Sequence, residues 1–304
     1  MVPKPPPIDK GIAELIQLAV AEDLGGSPAG AGDQTVKIAI PDSLRAAGSI
    51  IARSSGVIAG TFLMPEILRH YSAALVWSAR VNDSQTVAAG ETVGEISGPA
   101  GPLLSAERVV LNFLSHLSGI ATLTSHYVAL VRKIGAKTQI CDTRKTTPGW
   151  RLLEKYAVAC GGGVNHRMGL YDGVMLKDNH LTALRNRLGK NLSLAKLTAE
   201  VRAKLDPKIT LWLEVETLDQ LAEALPGGGA DIILLDNMTP ELMSHAVELR
   251  NRHSAAGRPL LEASGGITLE NLAAYAAIGV DRISIGALTH SAPILDLSME
   301  FKNL

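Results

Sequence analysis

Three groups of side chains in this sequence could do chemistry together. The first is basic: Arg144, Lys145, His166, Arg167 and Lys177, drawn from three nearby segments. A guanidinium fork matches a carboxylate or phosphate, and an ammonium is a compact point charge. Like charges repel, so an anionic ligand would offset the cost of gathering them. The second group is acidic: Glu214, Glu216 and Asp236. Strand alternation puts Glu214 and Glu216 on one face. Carboxylates beside a phosphate-rich ligand can hold Mg²⁺ through oxygen and water. Their competing role is an ion pair with Lys145 or Lys177. The third group is a pair of glycine turns, Ser264-Gly265-Gly266 and Ile285-Gly286-Ala287. Glycine lets backbone N–H groups approach an anion closely, although it also serves ordinary turns.

These groups need elements to bring them together. Apolar runs suited to strands occur at 138–141, 173–176, 209–215, 232–235, 260–263 and 282–285. Helix-like stretches such as 241–253 and 269–277 lie between most of them. Such alternation implies a parallel sheet with crossover helices, and six units favour a closed or nearly closed β/α barrel. In a barrel, chemistry sits at the C-terminal strand ends, where all three groups fall, and the last two turns are frequent phosphate sites. The sequence has no Gly-x-Gly-x-x-Gly after a first strand, which weakens a dinucleotide-binding reading. The first hundred residues differ. A helix is expected over 8–21 and another over 62–71, with short strands at 49–53, 75–79 and 92–96. Residues 25–32 read as a mobile Gly/Ala-rich loop. Residues 103–134 carry helical apolar spacing broken only by Gly119, so two helices or one kinked helix are expected.

Composition bounds the remainder. The chain has 304 residues, which suits two domains or one large α/β domain. It is 46% hydrophobic and 19% charged, as globular chains are, and a chain this long needs no disulfide or metal to fold. With 4% aromatic residues the core rests on Ala, Leu, Ile and Val. The net charge of −1 gives no global case for nucleic-acid binding. Trp77, Trp150 and Trp212 are too scattered for a base-stacking platform. Cys141 and Cys160 are too few for a disulfide framework or a cysteine zinc site. Cys160 reads as packing, and His116 and His126 as part of the apolar helical stretch. With no apolar signal segment and no membrane span of about 18 residues, a cytoplasmic protein is expected. A substrate carrying phosphate, pyrophosphate and sugar satisfies the three groups, and phosphoribosyl pyrophosphate is one such molecule.

The motifs themselves resemble a known family. The run from Asp142-Thr143-Arg144-Lys145 to Gly149, followed by Glu154-Lys155-Tyr156-Ala157, is similar to the quinolinate phosphoribosyltransferases. So are Asn165-His166-Arg167, Lys177-Asp178-Asn179-His180, Glu214-Val215-Glu216, Asp236-Asn237, Glu262-Ala263-Ser264-Gly265-Gly266 and Ser284-Ile285-Gly286-Ala287. Upstream, Ala106-Glu107-Arg108 and Leu117-Ser118-Gly119 also match. One departure is a stretched turn between Glu22 and Asp33, which should lengthen a loop without touching the chemistry.

The resemblance implies an α/β fold: an N-terminal α/β sandwich domain (1–117, joined by 289–304) and an incomplete TIM-like barrel (118–288). It implies transfer of phosphoribose from phosphoribosyl pyrophosphate to quinolinate with loss of CO₂, giving nicotinate mononucleotide for NAD synthesis. Mg²⁺ accompanies the pyrophosphate, with Glu214 and Asp236 near it directly or through water. Lys145, Glu214 and Asp236 become the catalytic candidates. Thr143, Arg144, Lys145, His166, Arg167 and Lys177 would surround the substrates, together with Glu214 and Asp236. Ser264, Gly265, Gly266, Ile285, Gly286 and Ala287 would take the 5′-phosphate. A homodimer with shared active sites is implied, Arg108 reaching the neighbouring one, and a hexamer stays open; no nucleic acid or membrane partner is expected. Three other readings remain: a diverged paralogue acting on another base, a barrel lyase using Lys145 or Lys177 as a Schiff base, and a non-catalytic metabolite-binding module.

Overall fold

A computed structural model describes residues 2–26, 32–189, 191–254 and 258–302. Most of the Gly/Ala-rich segment expected to form a mobile loop, residues 27–31, lies outside them. In chain order the elements are α1 (Lys10–Leu24), α2 (Gln34–Ala39), β1 (Arg45–Ala52), β2 (Gly56–Val57), α3 (Met64–Arg69), β3 (Val76–Ala79), β4 (Thr86–Val87) and β5 (Thr92–Pro99). Then follow α4 (Ala100–Lys133), β6 (Gln139–Cys141), α5 (Arg151–Cys160), β7 (Gly173–Leu176), α6 (Asp178–Leu188), α7 (Leu194–Arg202), β8 (Thr210–Val215) and α8 (Leu218–Ala224). Last come β9 (Ile232–Asp236), α9 (Pro240–His253), β10 (Leu260–Ser264), α10 (Leu272–Ala277), β11 (Arg282–Ser284), α11 (Ala287–His290) and β12 (Leu297–Lys302).

The chain divides into two compact units, and neither is a single stretch. The first takes 1–125, 145–162 and 287–304. Its main sheet runs β12-β1-β5-β3, with all neighbours antiparallel. In α4, Leu103, Ala106, Val110, Leu114, Leu117 and Ala121 are completely buried, the stripe that a 3.6-residue period produces. Gly119 does not break this helix, which runs unbroken over 34 residues. A Cβ at Gly119 would lie 2.1 Å from the carbonyl oxygen of Pro293, so the glycine serves close approach of a distant segment. Residues 145–162 are held by buried polar contacts. Tyr156 donates to Asp83 at 2.8 Å, and Asp83 also accepts from the Thr61 N–H and hydroxyl. Glu154, fully buried, meets His116 Nε2 at 3.0 Å and accepts from the Thr147 N–H at 3.1 Å.

The second unit takes 126–144 and 163–286. It holds a six-stranded parallel sheet in the order β6-β11-β10-β9-β8-β7. β6 and β7 stand at opposite edges although they follow one another among the strands. That is the order of a β/α barrel left open between its first two strands. β8 and β9 read apolar at nearly every position, as strands covered on both faces must. Four charged residues stand in β8 to β11: Glu214, Asp236, Glu262 and, at the start of β11, Arg282.

Candidate active site

The second unit's C-terminal strand ends gather most of the expected residues. Thr143 and Arg144 follow β6 and are half-buried. Val164 pairs with Cys141 alongside β6, so Asn165, His166 and Arg167 emerge at the same end of the sheet. Lys177 follows β7, Glu214 lies near the end of β8, Asp236 ends β9 and Ser264 ends β10. Register aligns Ser264 with both Asp236 and Ser284. Lys145, Ala287 and Arg108 belong to the first unit. There Thr289 donates to the Lys145 carbonyl at 2.8 Å, and Arg108 is exposed on α4.

The basic group is crowded and partly desolvated. Burial, and after it the charge of Arg144, lowers the Arg167 pKa, with Asp172 opposing. Two guanidiniums therefore share one partly desolvated place. The Nε of Arg144 is buried and has no hydrogen-bond partner among the described residues. A buried donor without a partner costs about 1–3 kcal/mol, which an anionic ligand would recover. Arg167 is aimed by its surroundings: its Nη1 donates to the Gly173 carbonyl at 2.8 Å. Asp172 closes the following turn by accepting from the N–H groups of Met168 and Gly169.

The acidic group differs from the expectation. β8 ends at Val215, so Glu216 lies just past the strand, where the alternation expected to put it on the Glu214 face no longer applies. Glu216 is exposed and its N–H donates to Gln220 at 2.7 Å, at the start of α8. Glu214 is ion-paired with Lys177. Asp236 accepts from Asn237 Nδ2 at 2.8 Å. At the glycine turns, Gly265 and Gly266 take φ of 99° and 62°, values that L side chains rarely adopt. A Cβ on Gly265 would lie 2.1 Å from Asn237 Oδ1. In the last turn the Ile285 N–H is spent on the Cys141 carbonyl at 2.9 Å, which keeps it within the sheet.

The family profile described as the quinolinate phosphoribosyl transferase N-terminal domain matches residues 33–118. The C-terminal domain profile of the same family matches residues 120–300. The chain belongs to the quinolinate phosphoribosyltransferase family. A Mycobacterium leprae relative named nicotinate-nucleotide pyrophosphorylase (carboxylating) is 40% identical over 272 residues, 88% of this chain and 90% of its own. A Bacillus subtilis relative, whose name adds "probable" to the same words, is 43% identical over 251 residues, 83% and 82% of the two chains. The solved nicotinate-nucleotide pyrophosphorylase of Francisella tularensis superposes with a TM-score of 0.85 at 34% identity, covering 99% of both chains.

In this quinolinate phosphoribosyltransferase chain, several residues that shape the site went unassigned from sequence. Asp142 is completely buried and accepts from the His166 N–H at 2.8 Å and from Asn165 Nδ2 at 2.7 Å. Glu262, also completely buried, accepts from Arg282 Nε at 3.0 Å and faces His166 Nε2 at 3.3 Å. His166 itself is 6% exposed and stacks on Trp212 with ring centroids 4.7 Å apart. The signal was present: Glu262 and Arg282 interrupt apolar strand runs, and a charge inside a parallel strand needs a partner there. Among the described residues no group of three or more His, Cys, Asp and Glu forms a metal cage, and no helix is long and apolar enough to cross a membrane. Cys160 is buried with its pKa pushed up to about 11 by burial, the state of a packing thiol.

Proposed function

We propose that this chain transfers phosphoribose from phosphoribosyl pyrophosphate to quinolinate with decarboxylation, giving nicotinate mononucleotide, pyrophosphate and CO₂ in NAD synthesis. The observation that carries this is the family match over both halves of the chain. The paired, partly desolvated guanidiniums of Arg144 and Arg167 support it, because quinolinate is a dicarboxylate.

In this reading Arg144, Arg167 and Lys177 hold the two carboxylates and aim the pyridine nitrogen at the anomeric carbon, with Thr143 and His166 beside them. The nitrogen's lone pair forms the new C–N bond as the C–O bond to pyrophosphate breaks. Positive charge grows on the sugar in between, and Glu214 and Asp236 would stabilise it. Lys145 adds positive charge for the leaving pyrophosphate, and Lys177 is tethered through Glu214. The turns at Ser264, Gly265 and Gly266 and at Gly286 and Ala287 take the 5′-phosphate. Once the ring nitrogen is cationic, the bond between C2 and its carboxylate breaks. CO₂ leaves, the electron pair stays on C2, and C2 takes a proton from water. No enzyme nucleophile is needed.

Two carboxylates, one already engaged with a lysine, suit Mg²⁺ held mainly by substrate oxygens and water rather than by a protein cage. Glu214 and Asp236 are the residues that would hold it. When bound, the cation supplies charge neutralisation at the leaving pyrophosphate. A homodimer with Arg108 supplied across the interface completes the reading; the exposure of Arg108 on α4 supports it.

The test is an assay with purified protein, quinolinate, phosphoribosyl pyrophosphate and Mg²⁺. Equal yields of nicotinate mononucleotide and CO₂, lost on chelation, are expected. No product from quinolinate, with product from another nitrogenous base, would replace this reading with a diverged paralogue. Borohydride trapping of a carbonyl substrate on Lys145 or Lys177 would replace it with a lyase.

A further inference from the structure

The barrel interior holds a buried charge that the reaction above does not use. Glu262 on β10 is 0% exposed. A carboxylate there costs several kcal/mol unless it is paired, and trios of this kind can often be exchanged for apolar side chains with no loss of stability. Stability alone therefore does not account for Glu262. Its partners lead towards the site. Oε2 accepts from Arg282 Nε at 3.0 Å, and Oε1 faces His166 Nε2 at 3.3 Å. Burial raises the Glu262 pKa, but His166, Arg282 and Ser284 outweigh it, and the carboxyl stays below its ordinary value.

His166 is held on every side. Its N–H goes to Asp142 at 2.8 Å, and its ring lies nearly parallel to Trp212, at 28°. Its Nδ1 accepts from the N–H of Arg167 at 2.9 Å. An imidazole nitrogen that accepts carries no proton, so the hydrogen-bond pattern assigns the proton to Nε2, the atom facing Glu262. The alternative tautomer would set Nδ1–H against the Arg167 N–H, two donors in contact. The carboxylate thus favours the one proton arrangement that lets His166 accept from Arg167.

We propose that Glu262 is a positioning residue for substrate binding, acting through His166 to fix the backbone from which Arg167 reaches the carboxylates of quinolinate. This rests on the reading that Arg167 binds quinolinate. Glu262 itself touches neither substrate.

The test uses the full-length enzyme and the Glu262→Gln variant. Two quantities are read: the imidazole ¹⁵N shifts of His166, and kcat with the KM of each substrate. Wild type is expected to show the Nε2–H form. E262Q is expected to gain Nδ1–H form and to raise the quinolinate KM roughly tenfold or more, the scale of a misplaced binding group. The phosphoribosyl pyrophosphate KM stays within about twofold on the same argument. An unchanged tautomer with unchanged KM values overturns the proposal. So does an equal loss for both substrates with the tautomer intact, the mark of a merely structural role.

A second pair of variants decides the matter if E262Q does not fold. His166→Asn keeps an acceptor near the Nδ1 position, whereas His166→Gln places its polar end near Nε2. The proposal expects the lower quinolinate KM from H166N, and the reverse order defeats it. Arg167→Ala separates the two layers. If it leaves the quinolinate KM unchanged, the binding reading fails, while the His166 tautomer still reports on Glu262.

Discussion

Arg167 shows how much of the site depends on one side chain being held before the ligand arrives. Burial and the neighbouring Arg144 both act against its charge, so the pair is costly without an anion. Arg167→Ala is expected to relieve that cost and slightly stabilise the apo enzyme. It should also raise the quinolinate KM by about a hundredfold, or about 2.7 kcal/mol, the range for losing a charge-assisted contact. Steady-state kinetics with quinolinate varied at saturating phosphoribosyl pyrophosphate measures it. Glu262 gives a second outcome at this scale. Its carboxyl is lowered from an ordinary value of 4.5. A depressed carboxyl adds stability that is fully present above that value and disappears as the pH falls through the folded-state value. The difference in unfolding free energy between wild type and Glu262→Gln is therefore expected to be widest near neutrality and to close in acid. Urea denaturation at a series of pH values reads it, and a difference that does not change with pH would deny the carboxylate its charge.

Elements carry a different kind of information, and Gly119 shows why. From sequence it is a breaker in an apolar helical stretch. In the structure it sits inside an unbroken α4, because Pro293 passes too close for any Cβ. The reason lies far along the chain, beyond the reach of a local pattern. The strands were legible because their runs are short, apolar and bounded by turn residues. Glu216 lies just past β8, and alternation gives no sign of where a strand stops. Gly119→Ala tests the account by setting two magnitudes against each other. Alanine gains about 1 kcal/mol of helix propensity, while overpacking against backbone costs about 1–3 kcal/mol. With a contact at 2.1 Å from an atom that cannot rotate away, the clash is expected to win.

The second unit also repeats one device at the N-terminal ends of its strands. Arg250 donates to Asp281 at 2.8 Å and to the Pro259 carbonyl at 3.1 Å, and Asp281 accepts from the Leu261 N–H at 2.8 Å. Arg202 does the same with Asp231 and the Ile209 carbonyl, and Asp231 accepts from the Leu211 N–H. The two copies differ in burial. The Arg250–Asp281 pair is 5% and 30% exposed, whereas the Arg202–Asp231 pair is 24% and 46% exposed. Breaking a buried pair costs about 3–5 kcal/mol, a solvated one about 1 or less. Arg250→Met is accordingly expected to destabilise the protein far more than Arg202→Met. Neither should change the KM values, since this end of a barrel serves stability. Chemical denaturation and kinetics on the same two variants check both halves.

For the whole molecule, the candidate site was legible in the sequence because short apolar runs bounded by turn residues mark the strands, and Arg144, Lys177, Asp236 and Gly265 all fall at or just past their C-terminal ends. The sequence could not disclose what depends on another copy of the chain. The reading that Arg108 serves a neighbouring subunit has a consequence that a self-contained site lacks. Arg108→Ala on one subunit and Arg167→Ala on the other would then fall in the same site of a mixed dimer, one site inheriting both lesions and the other neither. Each variant alone would be nearly inactive. Mixed one to one and allowed to exchange subunits, about half the dimers in a twofold-symmetric pair would be mixed, each with one intact site of two. Activity is therefore expected to rise to about a quarter of wild type. The rise should require time for exchange and should vanish if the subunits are cross-linked before mixing. Arg108 acting within its own chain predicts no recovery at any mixing ratio, since every site would then carry one lesion or the other.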